Sequence, residues 1–113
     1  MHRSICLLAV MLSGCAVTAS DLRARAPIAS LSSTKAVNEI AACVADQWSK
    51  QNGAVASTPR PNGTSVTLTM QDFNVLTMYA ADIEDRGSER ALTAYAAKGA
   101  RFKKVSDDLQ LCV

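Results

Sequence analysis

Residues 73–97 read FNVLTMYAADIEDRGSERALTAYAA, and how they fold decides the rest of the molecule. As strands, Val75–Glu84 and Arg90–Ala96 flank a turn at Asp85-Arg86-Gly87-Ser88. As helices, Phe73, Leu76, Tyr79, Ala80 and Ile83 keep helical spacing after an Asp72 cap, and Ser88 caps an Ala-rich helix that stops at Gly99. Propensity favours helix; the Val, Thr and Tyr content and the hairpin-like turn favour strand. The preceding segment breaks the tie. Ser65–Met70 alternates, with Val66, Leu68 and Met70 on one side and Ser65, Thr67 and Thr69 on the other, the pattern of a strand with one buried face. A strand around Val55–Thr58 pairs with it as a hairpin, and Pro59 and Pro61 suit an edge position before the Asn62-Gly63 turn. A lone hairpin has little stability, so these two strands need partners, and residues 75–96 supply them.

Helical periodicity brackets the strands. Val37, Ile40, Ala41, Val44 and Trp48 fall on one helix face, after Ser33 or Thr34 as a cap and before a stop at Asn52-Gly53. Trp48 on that face is a core anchor. At the other end Phe102, Val105, Leu109 and Cys112 form an apolar face, while Arg101, Lys103, Lys104, Asp107 and Asp108 point outward. The expected fold is α+β over residues 34–113: a small four-stranded antiparallel sheet with N- and C-terminal helices on one face, in the order α-β-β-β-β-α.

With 113 residues the chain has room for one domain, and 49% hydrophobic content is ordinary for a folded protein. A net charge of +2 is too small for a nucleic-acid-binding surface, so nucleic acid is not an expected partner. The N-terminal segment is of another kind. Arg3 precedes an uncharged apolar run, Ile5–Leu12, that spans about 12 Å as a helix against about 30 Å of bilayer hydrocarbon. That arrangement fits a secretory signal peptide, removed after export. Its last residues, Leu12-Ser13-Gly14-Cys15, resemble the lipobox of bacterial lipoproteins. The resemblance covers residues 1–15. It implies cleavage after residue 14, a diacylglyceryl thioether on the Cys15 sulfur, and acylation of the new terminus. In that family an Asp after the Cys favours inner-membrane retention; the residue here is Ala16, which points to the outer membrane, facing the periplasm. Residues 15–33 then read as the lipidated Cys and a flexible tether, whose coil would reach about 20–25 Å. Arg23 and Arg25 fall in it as solvated linker residues.

Export also frames the two remaining cysteines, Cys43 and Cys112, one on each predicted helix. Disulfides persist outside the cytosol, and this pair would close a loop of about 70 residues, stabilising the fold by about 4 kcal/mol. A redox pair would favour Cys-x-x-Cys spacing, and a zinc site would need further ligands in a segment whose parent chain has one His, His2, within the signal peptide. No cofactor or metal is expected.

The same lack of His removes Ser-His-Asp and Cys-His catalysis, and the scattered glycines make no phosphate loop. Asp82, Glu84 and Asp85 are the tightest acidic cluster; a carboxylate pair of this kind would be the basis of a glycan hydrolase. Arg86, Glu89 and Arg90 make it read instead as a charge-balanced turn. Lys98, Arg101, Lys103 and Lys104 are the candidate binding patch, suited to an envelope protein or an anionic envelope polymer. The leading expectation is a non-enzymatic binding or scaffold module tied to the membrane. The alternatives are an inhibitor of a lysozyme-like envelope enzyme and the carboxylate hydrolase.

Overall fold

A computed structural model describes residues 17–71, 75–98 and 102–113. The elements are α1 (Ala19–Arg23), β1 (Ala29–Ser33), α2 (Val37–Ser49), β2 (Ala54–Arg60), β3 (Gly63–Gln71), β4 (Val75–Asp85), β5 (Arg90–Ala96) and α3 (Phe102–Gln110). The strands form one antiparallel sheet in the order β1-β5-β4-β3-β2. The α+β class and the strand reading of residues 75–96 therefore hold, but the sheet has five strands and not four. The fifth, β1, comes from residues expected to be tether. Ala29-Ser-Leu-Ser-Ser33 carries one large apolar side chain, Leu31, and takes its strand form from β5, where Ala29 faces Ala94 and Ser33 faces Arg90.

The expected packing face is present. Ile40, Ala41, Val44 and Trp48 of α2 lie on Val66 and Leu68 of β3 and on Tyr79, Ala81 and Ile83 of β4, and Val105, Leu109 and Cys112 complete the same core. Trp48 is fully buried, with its ring centroid 5.6 Å from that of Tyr79. Its indole N–H finds no acceptor among the described residues, a cost of about 1–3 kcal/mol that burial of the ring offsets. Two details differ from expectation. The cap of α2 is Ala36, with no side-chain bond, because the Ser33 hydroxyl instead accepts from the Lys35 N–H. Phe102 is the first residue of α3 and is 47% exposed, so it does not share the buried face of Val105 and Leu109.

The opposite face of the sheet is not simply solvated. Chain entry and α1 lie across it. The Thr77 N–H donates to the Val17 carbonyl at 3.0 Å, and Val17 makes a parallel bridge with Leu76. Val17 thus takes up the edge of β4 beyond the end of β5, where the Ala97 N–H donates to the Met78 carbonyl at 2.8 Å. The chain then turns into α1 through a capping box: the Thr18 hydroxyl accepts from the Asp21 N–H, and the Asp21 carboxylate accepts from the Thr18 N–H. Leu22 is buried against Ala80 and Ala97, residues small enough to admit it. Met78 is the extra residue of a β-bulge, since Leu68 faces Tyr79 and Thr69 faces Thr77.

The far end of the sheet is closed by two tight turns. Pro61-Asn62 link β2 to β3, and a Cβ at Gly63 would run into the Ile83 carbonyl, so glycine is required where β3 passes β4. Pro59 lies in β2, an edge strand, as its missing N–H demands. Gly87, at φ 91°, turns β4 into β5.

Candidate functional site

The densest constellation of charged side chains surrounds Asp82, on the face covered by α1. The Arg23 guanidinium grips its carboxylate at two points, Nε at 2.8 Å and Nη2 at 2.9 Å. The Ser65 hydroxyl donates to Asp82 Oδ1 at 2.6 Å and accepts from Arg23 Nη2 at 2.7 Å. Arg60, at the end of β2, stands 3.3 Å from the same oxygen. Strand register explains the gathering. Ser65 faces Asp82 across β3 and β4, and Arg60 is two pairs further along and so on the same face, opposite Gly63. The capped turn of α1 delivers Arg23 from above.

Asp82 is buried, and burial pushes its carboxyl pKa up; the Arg23 and Ser65 hydrogen bonds and the charges of Arg23 and Arg60 outweigh that and hold it below the usual carboxylate range. A glycosidase acid needs the opposite, a pKa raised toward neutrality. The arrangement keeps Asp82 an anion at neutral pH, and it ties α1 to the sheet. Stability follows pH accordingly. The folded state releases this proton more readily than the unfolded chain, so the stabilisation is complete above about pH 4 and fades as pH falls through the lowered folded value. In urea titrations the gap in stability between the natural protein and Asp82→Asn is expected to narrow steadily from neutral pH to about pH 3. A gap that stays constant would remove the charge from the explanation.

Glu84 and Asp85, the other two members of the acidic cluster, go elsewhere. Glu84 pairs with Arg86 at 3.8 Å, and Asp85 pairs with Arg90 at 3.2 Å while accepting from the Gly87 N–H. The neutralisation expected from Arg86 and Arg90 thus serves these two residues and not Asp82. No local pattern marks Arg23, Ser65 and Arg60 as partners of Asp82, and Arg23 lies in a stretch that reads as linker. The available signal was Thr18-x-x-Asp21, a capping pattern that marks a helix start.

Cys43 and Cys112 form the expected disulfide, with Cα atoms 5.5 Å apart and a sequence separation of 69. It ties α2 to the residues just after α3. In the basic patch, Lys98, Lys103 and Lys104 are exposed, and Arg101 lies outside the described residues. Lys103 pairs with Asp107 at 3.3 Å and Lys104 with Asp108 at 2.9 Å, both along the helix surface. Such exposed pairs are worth about 0.3–0.5 kcal/mol and do not consume the lysines. Cys15 and the whole of residues 1–14 also lie outside the described residues. Among the described residues no helix is long and apolar enough to cross a membrane, and no three His, Cys, Asp or Glu side chains converge as metal ligands.

The chain matches no family model, no curated protein and no solved structure. What the fold itself defines is a disulfide-stapled α+β sandwich of one five-stranded sheet, with two helices on one face and a short helix on the other.

Proposed function

We propose that this protein is an exported lipoprotein, anchored through Cys15 to the periplasmic side of the outer membrane, whose domain works by binding another envelope component and not by catalysis. The observation that carries the reading is Leu12-Ser13-Gly14-Cys15 after a short apolar run. The Cys43–Cys112 disulfide supports it, because such staples belong to oxidising compartments. The pairing of Asp82 with two arginines supports a structural use of the acidic cluster, leaving binding as the simpler role.

The place of the domain differs from the tethered arrangement. Val17, two residues after Cys15, is bridged to Leu76 of β4, so chain length alone keeps the anchor within about 7 Å of Val17 and not 20–25 Å below the sheet. The module works against the headgroups, and its partner reaches it there. Replacing Cys15 with Ser is expected to abolish acylation, read as the loss of the acyl mass from the intact protein, and to deplete the protein from membrane fractions. A natural protein that carries no acyl mass would overturn the anchor. Capture from solubilised envelopes with the acylated protein, followed by assay of glycan and peptide turnover, tests the binding role; turnover by the purified domain would overturn it.

A further inference from the structure

We infer that the end of the domain nearest Cys15 is a membrane-docking surface, in which Lys50, Lys98, Lys103 and Lys104 meet the phosphates of anionic lipid headgroups and Phe102 rests at the acyl boundary. This rests on the lipidation proposed above and adds the orientation in which the anchored domain sits.

Topology brings these residues to one end. Val17 and Ala97 lie along the same edge of β4, bonded to Thr77 and Met78, and Lys98 is the next residue. Phe102 opens α3 four positions later, within about 14 Å of Lys98 by chain length alone. Helix α2 starts just after β1, whose last residue faces Arg90 at the far end, and it closes at Lys50 just before β2, whose first residue faces Thr69 at the near end. The C-terminus of α2 and the N-terminus of α3 therefore lie at the end of the sheet where Val17 enters.

Chemistry then selects the occupant. Phe102 and Leu111 are the large hydrophobic side chains left exposed among the described residues, and Phe102 is followed directly by Lys103 and Lys104. An aromatic ring beside long-stemmed cations is how interfacial segments hold a bilayer surface. Asp107 and Asp108 pair with Lys103 and Lys104 from one turn further along α3, Asp46 lies one turn before Lys50 on α2, and the Asp21 carboxylate is engaged by Thr18. The paired lysines stay exposed and can exchange their carboxylate partners for lipid phosphates, because such surface pairs are weak. Glu84, Asp85 and Glu89 belong to the far end, interleaved with Arg86 and Arg90. The covalent anchor holds this end against the headgroups, so contacts too weak to recruit the domain from solution suffice to orient it.

The test uses the acylated protein, its acyl mass verified, in phosphatidylcholine vesicles with or without phosphatidylglycerol and with brominated acyl chains. Phe102→Trp places a reporter at the docking surface, and Asn62→Trp places one at the far turn; Trp48 is buried and common to both. Quenching of the Phe102→Trp signal alone, dependent on phosphatidylglycerol and relieved by salt, is the expected result. K98Q/K103Q should weaken docking about 25-fold, at about five-fold per lysine near an anionic surface. Equal, weak quenching at both positions in acylated protein would overturn the orientation while leaving the anchor intact, as would K98Q/K103Q abolishing capture of a protein partner without any quenching of Phe102→Trp. If the natural protein carries no acyl mass, the anchor fails and the docked orientation that depends on it fails with it, whereas equal quenching in protein of verified acyl mass overturns the orientation alone.

Discussion

Replacing both Cys43 and Cys112 with Ala is expected to lower the unfolding free energy by about 4 kcal/mol, a fall in melting temperature of roughly 15–30 °C. The bridge spans 69 positions, so cutting it frees most of the chain in the unfolded state. It also releases a helix with little else to hold it. α3 inserts Val105 and Leu109 into the core, and the fully buried Cys112 follows one turn later. Without the bridge α3 is expected to fray first, and its amides should lose hydrogen-exchange protection before those of β3 and β4. A melting temperature within a few degrees of the natural protein's would mean that the helices hold without their staple.

Asp82→Ala is the second large effect, at about 3 kcal/mol. The cost is not the loss of attraction as such; it is the two arginines left behind, Arg23 only 28% exposed and Arg60 33% exposed, with no carboxylate to face. Ser65, buried between them, loses its acceptor as well. The local consequence is release of α1, and because Arg23 and Arg25 are trypsin sites, limited proteolysis should clip the variant there while the natural protein resists. Asp82→Leu combined with Arg23→Met should recover much of the stability, since an apolar pair leaves fewer orphaned charges against the sheet. If the double variant is as unstable as Asp82→Ala, the packing of α1 and not the charge cluster sets the stability of this face.

These two sites also show what was legible in the chain. The disulfide is readable because an even pair of cysteines remains on two periodic helices once the N-terminal segment is read as an export signal. The strands β2 to β5 were readable because Val66, Leu68 and Met70 alternate and the turns carry Pro, Asn and Gly. By contrast β1 offers only Leu31, and α1 is too short to show a period; both exist because of partners far along the chain. Arg23 meets Asp82 across 59 positions, and no local pattern in either segment announces it. Ser65 was placed on the outer side of its strand, which is correct, but that side is covered by an element that periodicity did not reveal.

The pairing of the first described residues with the last has a kinetic consequence. Val17 waits for Leu76, Ala29 for Ala94, and Cys43 for Cys112. A chain emerging from its N-terminus can close the β2–β3 hairpin early, yet none of these three connections can form until the last third has begun to appear. Such non-local topologies fold slowly, on the scale of milliseconds to seconds. Val17, the first of these residues to emerge, therefore waits without its β4 partner until most of the chain has appeared.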